Sequence, residues 1–157
     1  QSLDWALDAH NLTDPALRTS LLDLFHHLVP FPEVAEVLAN LKASGYRLAI
    51  LSNGTPAMLD AATQSAGLAD AFDAILSVET VRHYKPSHHV YGMVETRLGT
   101  KPAQTLFVSS NGWDIAGAAH FGLWTAWVNR DSAPVDRLPQ RPAHVIPDLS
   151  HLPRLLS

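Results

Sequence analysis

Apolar residues recur along this chain in two alternating patterns. Between Glu33 and Ser44, Val34, Val37, Leu38 and Leu41 fall at i, i+3, i+4 and i+7, one face of a helix, and Gly45 supplies the stop. The next run, Arg47 to Leu51, has strand length and breaks at Ser52-Asn53-Gly54. Thr55-Pro56 then opens a helix closed by Gly67, and Ala74 to Val78 reads as a second strand. Pro86 is expected to start a helix with Val90, Met93, Val94 and Leu98 on one face. Strands at Thr105–Val108 and Leu123–Val128 bracket a helix over Trp113–His120, and His144–Ile146 forms a short fifth strand before a small helix near Leu152. Strands alternating with helices imply crossover connections and a parallel sheet, hence a three-layer α/β domain. The first 30 residues differ. Asp14-Pro15 has the form of an N-cap followed by proline in the first turn, and Leu17, Leu21, Phe25 and Leu28 follow at helical spacing. With Leu3 and Leu7 before them they predict a helical hairpin outside the sheet, dividing the chain into a lobe over 1–30 and an α/β unit over 31–157.

Composition narrows the functions available. The 157 residues are about one domain's worth, 46% apolar and 17% charged, an ordinary globular balance. Eleven Lys and Arg against fifteen Asp and Glu leave a net charge of −4, with no electrostatic footprint for nucleic acid or an anionic membrane. The absence of cysteine removes disulfides, thiol nucleophiles and thiolate zinc sites. No apolar run approaches the roughly 20 residues that span a bilayer, so a soluble, cytoplasmic protein is expected. The start, Gln1-Ser2-Leu3-Asp4, has no initiator methionine and no signal-like segment, and reads as the interior of a longer protein. His26-His27 and His88-His89 are adjacent pairs whose side chains diverge on a helix, and no HExxH spacing exists, so they read as surface or packing residues rather than metal ligands. Trp5, Trp124 and Trp127 read as core or lobe packing.

Candidate chemistry gathers where strands end, the edge at which open parallel sheets bind ligands. Ser52-Asn53 closes the first strand, Tyr84-Lys85-Pro86 follows the second, and Ser109-Ser110-Asn111-Gly112-Trp113-Asp114 follows the third. Taken singly each has a plain structural explanation: a helix-entry turn, a solvated lysine, a generous cap. Their order and spacing say more. A hydroxyl, a lysine 33 residues on, and an acidic loop 24 to 29 residues later resemble three successive motifs of the haloacid dehalogenase superfamily. Within it, LSNGTP at 51–56, YKPSHHVY at 84–91 and SSNGWDIAGAAHFGLWTAWVNR at 109–130 look like the type II, (S)-2-haloacid dehalogenases.

That resemblance implies a Rossmann-like core with part of a helical cap, the cap corresponding to residues 1–30. It implies hydrolysis of (S)-2-haloacids to (R)-2-hydroxyacids through an aspartyl ester formed by a carboxylate nucleophile. Carried onto this sequence, Lys85 holds the nucleophile ionised and oriented, while Ser52 binds the substrate carboxylate and Asn53 the departing halide. Ser109, Asn111 and Asp114 arrange the network around nucleophile and water, with Asp114 the base partner. Tyr91 matches a tyrosine of the family site and Trp113 supplies an apolar wall. No metal or other cofactor is implied. The partners implied are a small 2-haloacid, its halide, and either a second copy of the chain or a segment preceding it.

The sequence also departs from the family. The nucleophile belongs to an Asp-x-Tyr-Gly-Thr motif on a strand lying between those that end here at Ser52 and Ser109, and no such motif occurs in these residues. The halide-binding arginine of the first part of the cap has no counterpart either. The α/β unit therefore reads as a core lacking its first strand, and these residues alone are expected to be inactive. Two other readings stay open: a magnesium-dependent phosphatase of the same superfamily, against which Asp114 stands as the one carboxylate of the 109–114 loop, and a non-catalytic fragment that needs a complementing segment.

Overall fold

The computed structural model describes residues 2–156, with the side chains of Ser2 and Phe25 outside the description. Two short helices come first, α1 (Ser2–Ala9) and α2 (Pro15–Asp23). Asp14 caps α2 by accepting from the Ala16 N–H, as the Asp-Pro pair predicts, and Arg18 pairs with Asp4 at 2.6 Å across the hairpin. Leu7 is buried, whereas α2 buries none of its side chains among the described residues; the Phe25 side chain lies outside them.

The α/β unit begins with α3 (Val34–Ala43), which buries Val37, Leu38 and Leu41 from the predicted face. There follow β1 (Ala49–Ser52), α4 (Pro56–Ser65) and β2 (Ala74–Ser77). Next come α5 (His88–Tyr91), α6 (Met93–Leu98), β3 (Leu106–Ser109) and α7 (Gly112–Phe121). The chain finishes with β4 (Trp124–Val128), β5 (His144–Ile146) and α8 (Leu152–Leu155). Every strand pairing is parallel, as the alternating pattern requires.

Two details depart from the sequence expectation. The helix predicted from Pro86 starts at His88 and divides at Gly92 into α5 and α6, yet Val90, Met93 and Val94 stay buried, so its apolar face was read correctly. The sheet is not one sheet. β1 pairs with β2, and β3, β4 and β5 pair in that order, but β1 and β3 do not hydrogen-bond to each other. Periodicity reports which face of a strand is buried and carries no information about which strand is its neighbour, so it predicts strands without predicting continuity.

Period-two alternation distributes the strand side chains between two cores. Phe107 of β3 and Trp127 of β4 face one side, with Tyr91, Val94, Ile115, Ala118 and Leu123. Leu106, Val108, Ala126, Val128 and Ile146 face the other, against Val37 and Leu41 of α3 and Leu152. Leu51 of β1 packs on the first core and Leu48, just before β1, on the second, so the β1–β2 pair is held to the rest by side chains. Helices on both faces of parallel strands give the expected three layers.

Ahead of α3, Glu33 pairs at 2.5 Å with Arg130, two residues beyond β4, and the Arg130 guanidinium lies 3.7 Å from the Phe31 ring centroid. The Arg130 guanidinium holds the Glu33 carboxyl below its usual value. A carboxyl depressed in the folded state adds stability that is fully present above its ordinary pKa, 4.5, and is lost as pH falls through the folded value. Replacing Arg130 by Gln should cost about 0.5–1 kcal/mol at pH 7, because the pair is partly open to screening solvent. The deficit should shrink once Glu33 is protonated, a comparison that urea melts at pH 7 and below pH 4 make directly.

Candidate active site

Ser52, Asn53, Ser109 and Asn111 sit at or just beyond a strand's carboxyl end, Lys85 lies in the segment between β2 and α5, and Tyr91 ends α5. Ser52 is the last residue of β1, Ser109 the last of β3, and Ser77 the last of β2, in register with Ser52. The centre of the cluster is Asp114, in the first turn of α7 and 3% exposed. Its Oδ2 accepts from Lys85 Nζ at 2.9 Å and from Ser109 Oγ at 3.0 Å, and its Oδ1 accepts from the Tyr91 hydroxyl at 2.8 Å. A carboxylate removed from water needs such partners, because a buried charge is tolerated only when paired and hydrogen-bonded.

Lys85 connects this cluster to β1. Its ammonium reaches Asp114 and lies 4.8 Å from the Phe107 ring centroid, while its main-chain N–H donates to Asn53 Oδ1 at 3.0 Å. Asn53 thus uses its carbonyl oxygen on the protein, and its amide N–H groups are what it can offer an anion. Ser52 Oγ accepts from the Gly54 N–H at 3.1 Å, and Ser77 Oγ donates to the Gly54 carbonyl at 2.7 Å, fixing the turn into α4. Thr55 caps α4 by accepting from the Met58 N–H. The Asn111 N–H donates to Ser109 Oγ at 3.2 Å, and Trp127 Nε1 donates to the Ser110 carbonyl at 3.0 Å. Both ends of the 109–114 loop are held.

The structure therefore joins Asn53, Lys85, Tyr91, Ser109, Asn111 and Asp114 in one hydrogen-bonded network, with Ser52 next to Asn53 in the chain. Trp113 is placed differently. It is 42% exposed, because successive residues of a helix face different ways and its neighbour Asp114 takes the inward position. Trp5 is 74% exposed, contrary to the packing role expected of it, while Trp127 is buried. Phe107, Ser77 and Gly54 were not singled out from the sequence. Phe107 had a signal, since it lies two residues before Ser109 and so shares its face of β3. Burial and the Asp114 hydrogen bond push the Tyr91 phenol well above its ordinary value, so it stays a neutral donor.

Three histidines flank the Lys85 segment. His83 and His89 stack with centroids 4.5 Å apart, His88 and His89 lie 4.0 Å apart, and together they line a depression of about 410 Å³. Among the described residues no group of three His, Cys, Asp or Glu is arranged to hold a metal ion.

A model of haloacid dehalogenase-like hydrolases matches residues 7–122. The chain is 46% identical over 129 residues to the (S)-2-haloacid dehalogenase of Pseudomonas sp. strain YL, covering 82% of this chain and 56% of that protein. It is 41% identical to (S)-2-haloacid dehalogenase 1 of Pseudomonas sp. strain CBS-3, covering 99% of this chain and 69% of that one. An L-2-haloacid dehalogenase from Xanthobacter autotrophicus, solved with chloropropionic acid covalently bound, superposes with a TM-score of 0.86 at 37% identity, covering 97% of this chain and 71% of its own. The chain thus spans only part of the length of these relatives. It belongs to the haloacid dehalogenase-like hydrolases.

The network and the histidine cluster beside it each make one expectation. Lys85→Ala leaves the buried Asp114 carboxylate without its cation and should destabilise the fold by about 3–5 kcal/mol. Combining it with Asp114→Asn should recover a large part, which a double-mutant cycle of urea melts measures. His89, held below its ordinary value by His88, by burial and by His83, protonates less readily folded than unfolded. Its contribution to stability is thus present above the ordinary value of 6.5 and fades as pH falls toward the folded one. His89→Asn should flatten the dependence of the melting temperature on pH in that window.

Proposed function

We propose that the protein hydrolyses (S)-2-haloacids to (R)-2-hydroxyacids through an aspartyl ester. The observation that carries this reading is the buried Lys85–Asp114 pair, completed by Tyr91 and Ser109 and tied through Asn53 to the end of β1, in a chain whose relatives are (S)-2-haloacid dehalogenases. One oxygen of a nucleophilic aspartate attacks the carbon bearing the halogen. The carbon–halogen bond breaks with inversion and halide departs toward the Asn53 amide. Water then adds to the aspartyl carbonyl carbon, giving one proton to Asp114. The acyl carbon–oxygen bond breaks, Asp114 returns that proton to the departing alkoxide so that the hydroxyacid leaves, and the aspartate is regenerated as a carboxylate with its second proton released to solvent. Lys85 keeps the nucleophile ionised, and Ser52 with neighbouring main-chain N–H groups receives the substrate carboxylate.

No Asp-x-Tyr-Gly-Thr segment occurs in these 157 residues. We place the nucleophile on an extended segment between β1 and β3, whose facing edges are not paired with each other. On this reading residues 1–30 are the later part of a helical cap and 31–157 the core lacking its first strand. The nucleophile's segment precedes them or comes from a partner, and a second copy of the chain is the other partner the reading admits. The reaction is placed in the cytoplasm, and no described helix is long and apolar enough to cross a membrane.

The superfamily's phosphatases are the alternative. Asp114 is the one carboxylate of the 109–114 loop, which weighs against the paired acidic ligands that a magnesium site draws from this loop. The whole protein, including the segment that bears the nucleophile, should release chloride from (S)-2-chloropropionate and leave the R enantiomer. Lys85→Ala should lower the rate by about 100-fold or more. Turnover of a generic aryl phosphate that a chelator abolishes, with no chloride release, would replace this reading by the phosphatase. Neither activity would leave the non-catalytic fragment.

A further inference from the structure

We infer that Gly117 is a positioning residue for the active-site network: its missing side chain is the slot in which the Tyr91 hydroxyl and Pro86 lie. A Cβ built on Gly117 meets Tyr91 Oη at 2.6 Å, Pro86 Cβ at 2.7 Å and Tyr91 Cε2 at 3.1 Å. Contacts under 3.0 Å are relieved only if something moves, and neither neighbour is a loose side-chain tip. Tyr91 is fully buried, its ring edge-on to Phe107 and its hydroxyl bonded to Asp114. Pro86 is a rigid ring joined directly to Lys85.

The two displaced groups sit at opposite ends of one interaction. Pro86 continues the main chain of Lys85, and Tyr91 holds Asp114, the partner of Lys85 at 2.9 Å. Asp114 and Gly117 are three residues apart on α7 and therefore share a face, so the helix that presents the carboxylate also presents the gap beside it. Helix propensity gives no reason for glycine here, since it is the poorest interior residue after proline and its neighbours Ala116, Ala118 and Ala119 are the best. Clearance explains it. A methyl group at 117 has to part α7 from α5 and the Lys85 segment, which pulls the ammonium and the phenol away from the same carboxylate.

The inference rests on the proposed dehalogenation for its kinetic arm alone. In the whole protein, Gly117→Ala should stay folded and lower kcat by about tenfold or more with a smaller change in KM, as a sub-ångström shift of positioned groups does. The near-ultraviolet difference spectrum between Gly117→Ala and the unmodified protein at neutral pH should show a Tyr91 phenol moved away from Asp114, with Tyr91→Phe identifying its share of the signal. Removing the hydroxyl relieves the tightest of these contacts and leaves that with Pro86, so Gly117→Ala should cost less, though still something, in a Tyr91→Phe background than alone. An unchanged Tyr91 signal, or fully additive effects of the two substitutions, would overturn the inference. If Gly117→Ala alone does not fold, recovery of folding in the Tyr91→Phe combination supports the slot and failure to recover overturns it. Absence of chloride release from the unmodified protein would sink the functional proposal, while the spectroscopic and folding results would still decide the role of Gly117.

Discussion

The buried ion pair between Lys85 and Asp114 sets the terms for the whole carboxyl edge of the structure. Both side chains are almost withdrawn from water, at 8% and 5% exposure, where an unpaired charge costs several kcal/mol. Such a pair persists only if the remaining hydrogen-bonding capacity is also satisfied. Ser109 and Tyr91 meet that demand on the carboxylate, and the Phe107 ring accompanies the ammonium. The Lys85 main chain cannot then wander, and its N–H fixes Asn53 at the end of a strand belonging to the other sheet. One pair thereby aligns loops from three parts of the sequence that backbone hydrogen bonding does not connect.

The same geometry shows why core and site are not separate here. Phe107 and Ser109 lie on one face of β3, so the strand that buries an aromatic ring presents a hydroxyl two residues later at the sheet edge. Tyr91 works in both regions: its ring packs against Phe107 and Phe121 while its hydroxyl reaches Asp114. Trp127 closes the same core and pins Ser110 through its indole N–H. Packing density in a protein interior leaves little room for adjustment, so a volume change on this core face is transmitted to the polar edge.

Much of this was legible in the sequence because it is local. Helical spacing showed the buried faces of α3 and of the α5–α6 segment, and apolar runs located five parallel strands. Polar words at strand ends point to Lys85, Ser109 and Asp114, and in the structure Asp114 accepts from both of the others. What was not legible is long-range or negative. The break between β1 and β3 depends on which edges meet, and Trp113 depends on the phase of a helix whose neighbouring residue claims the inward direction. Gly117 is a different kind of miss: in a run of small residues a required absence of atoms looks like composition. Only the positions of Tyr91 and Pro86 distinguish it from the alanines beside it.

The charge balance of the site places a further demand on the proposed chemistry. Lys85 and Asp114 already neutralise each other, so the ammonium is not a spare cation awaiting a ligand. A nucleophilic aspartate brought beside Lys85 leaves the group one negative charge in excess, and a substrate carboxylate adds another. Lys85 has three N–H donors, which lets one ammonium serve two carboxylates but not neutralise both. The balance must come from neutral donors. The start of α4, a ten-residue helix capped by Thr55 and separated from Ser52-Asn53 by Gly54 alone, directs the positive end of its dipole to that spot. Displacement of halide consumes the nucleophile's charge as the ester forms and moves it to the leaving ion beside Asn53. The step that relieves the crowding of carboxylates is thus the bond-making step itself, so the electrostatic excess of the ground state favours the reaction rather than opposing it.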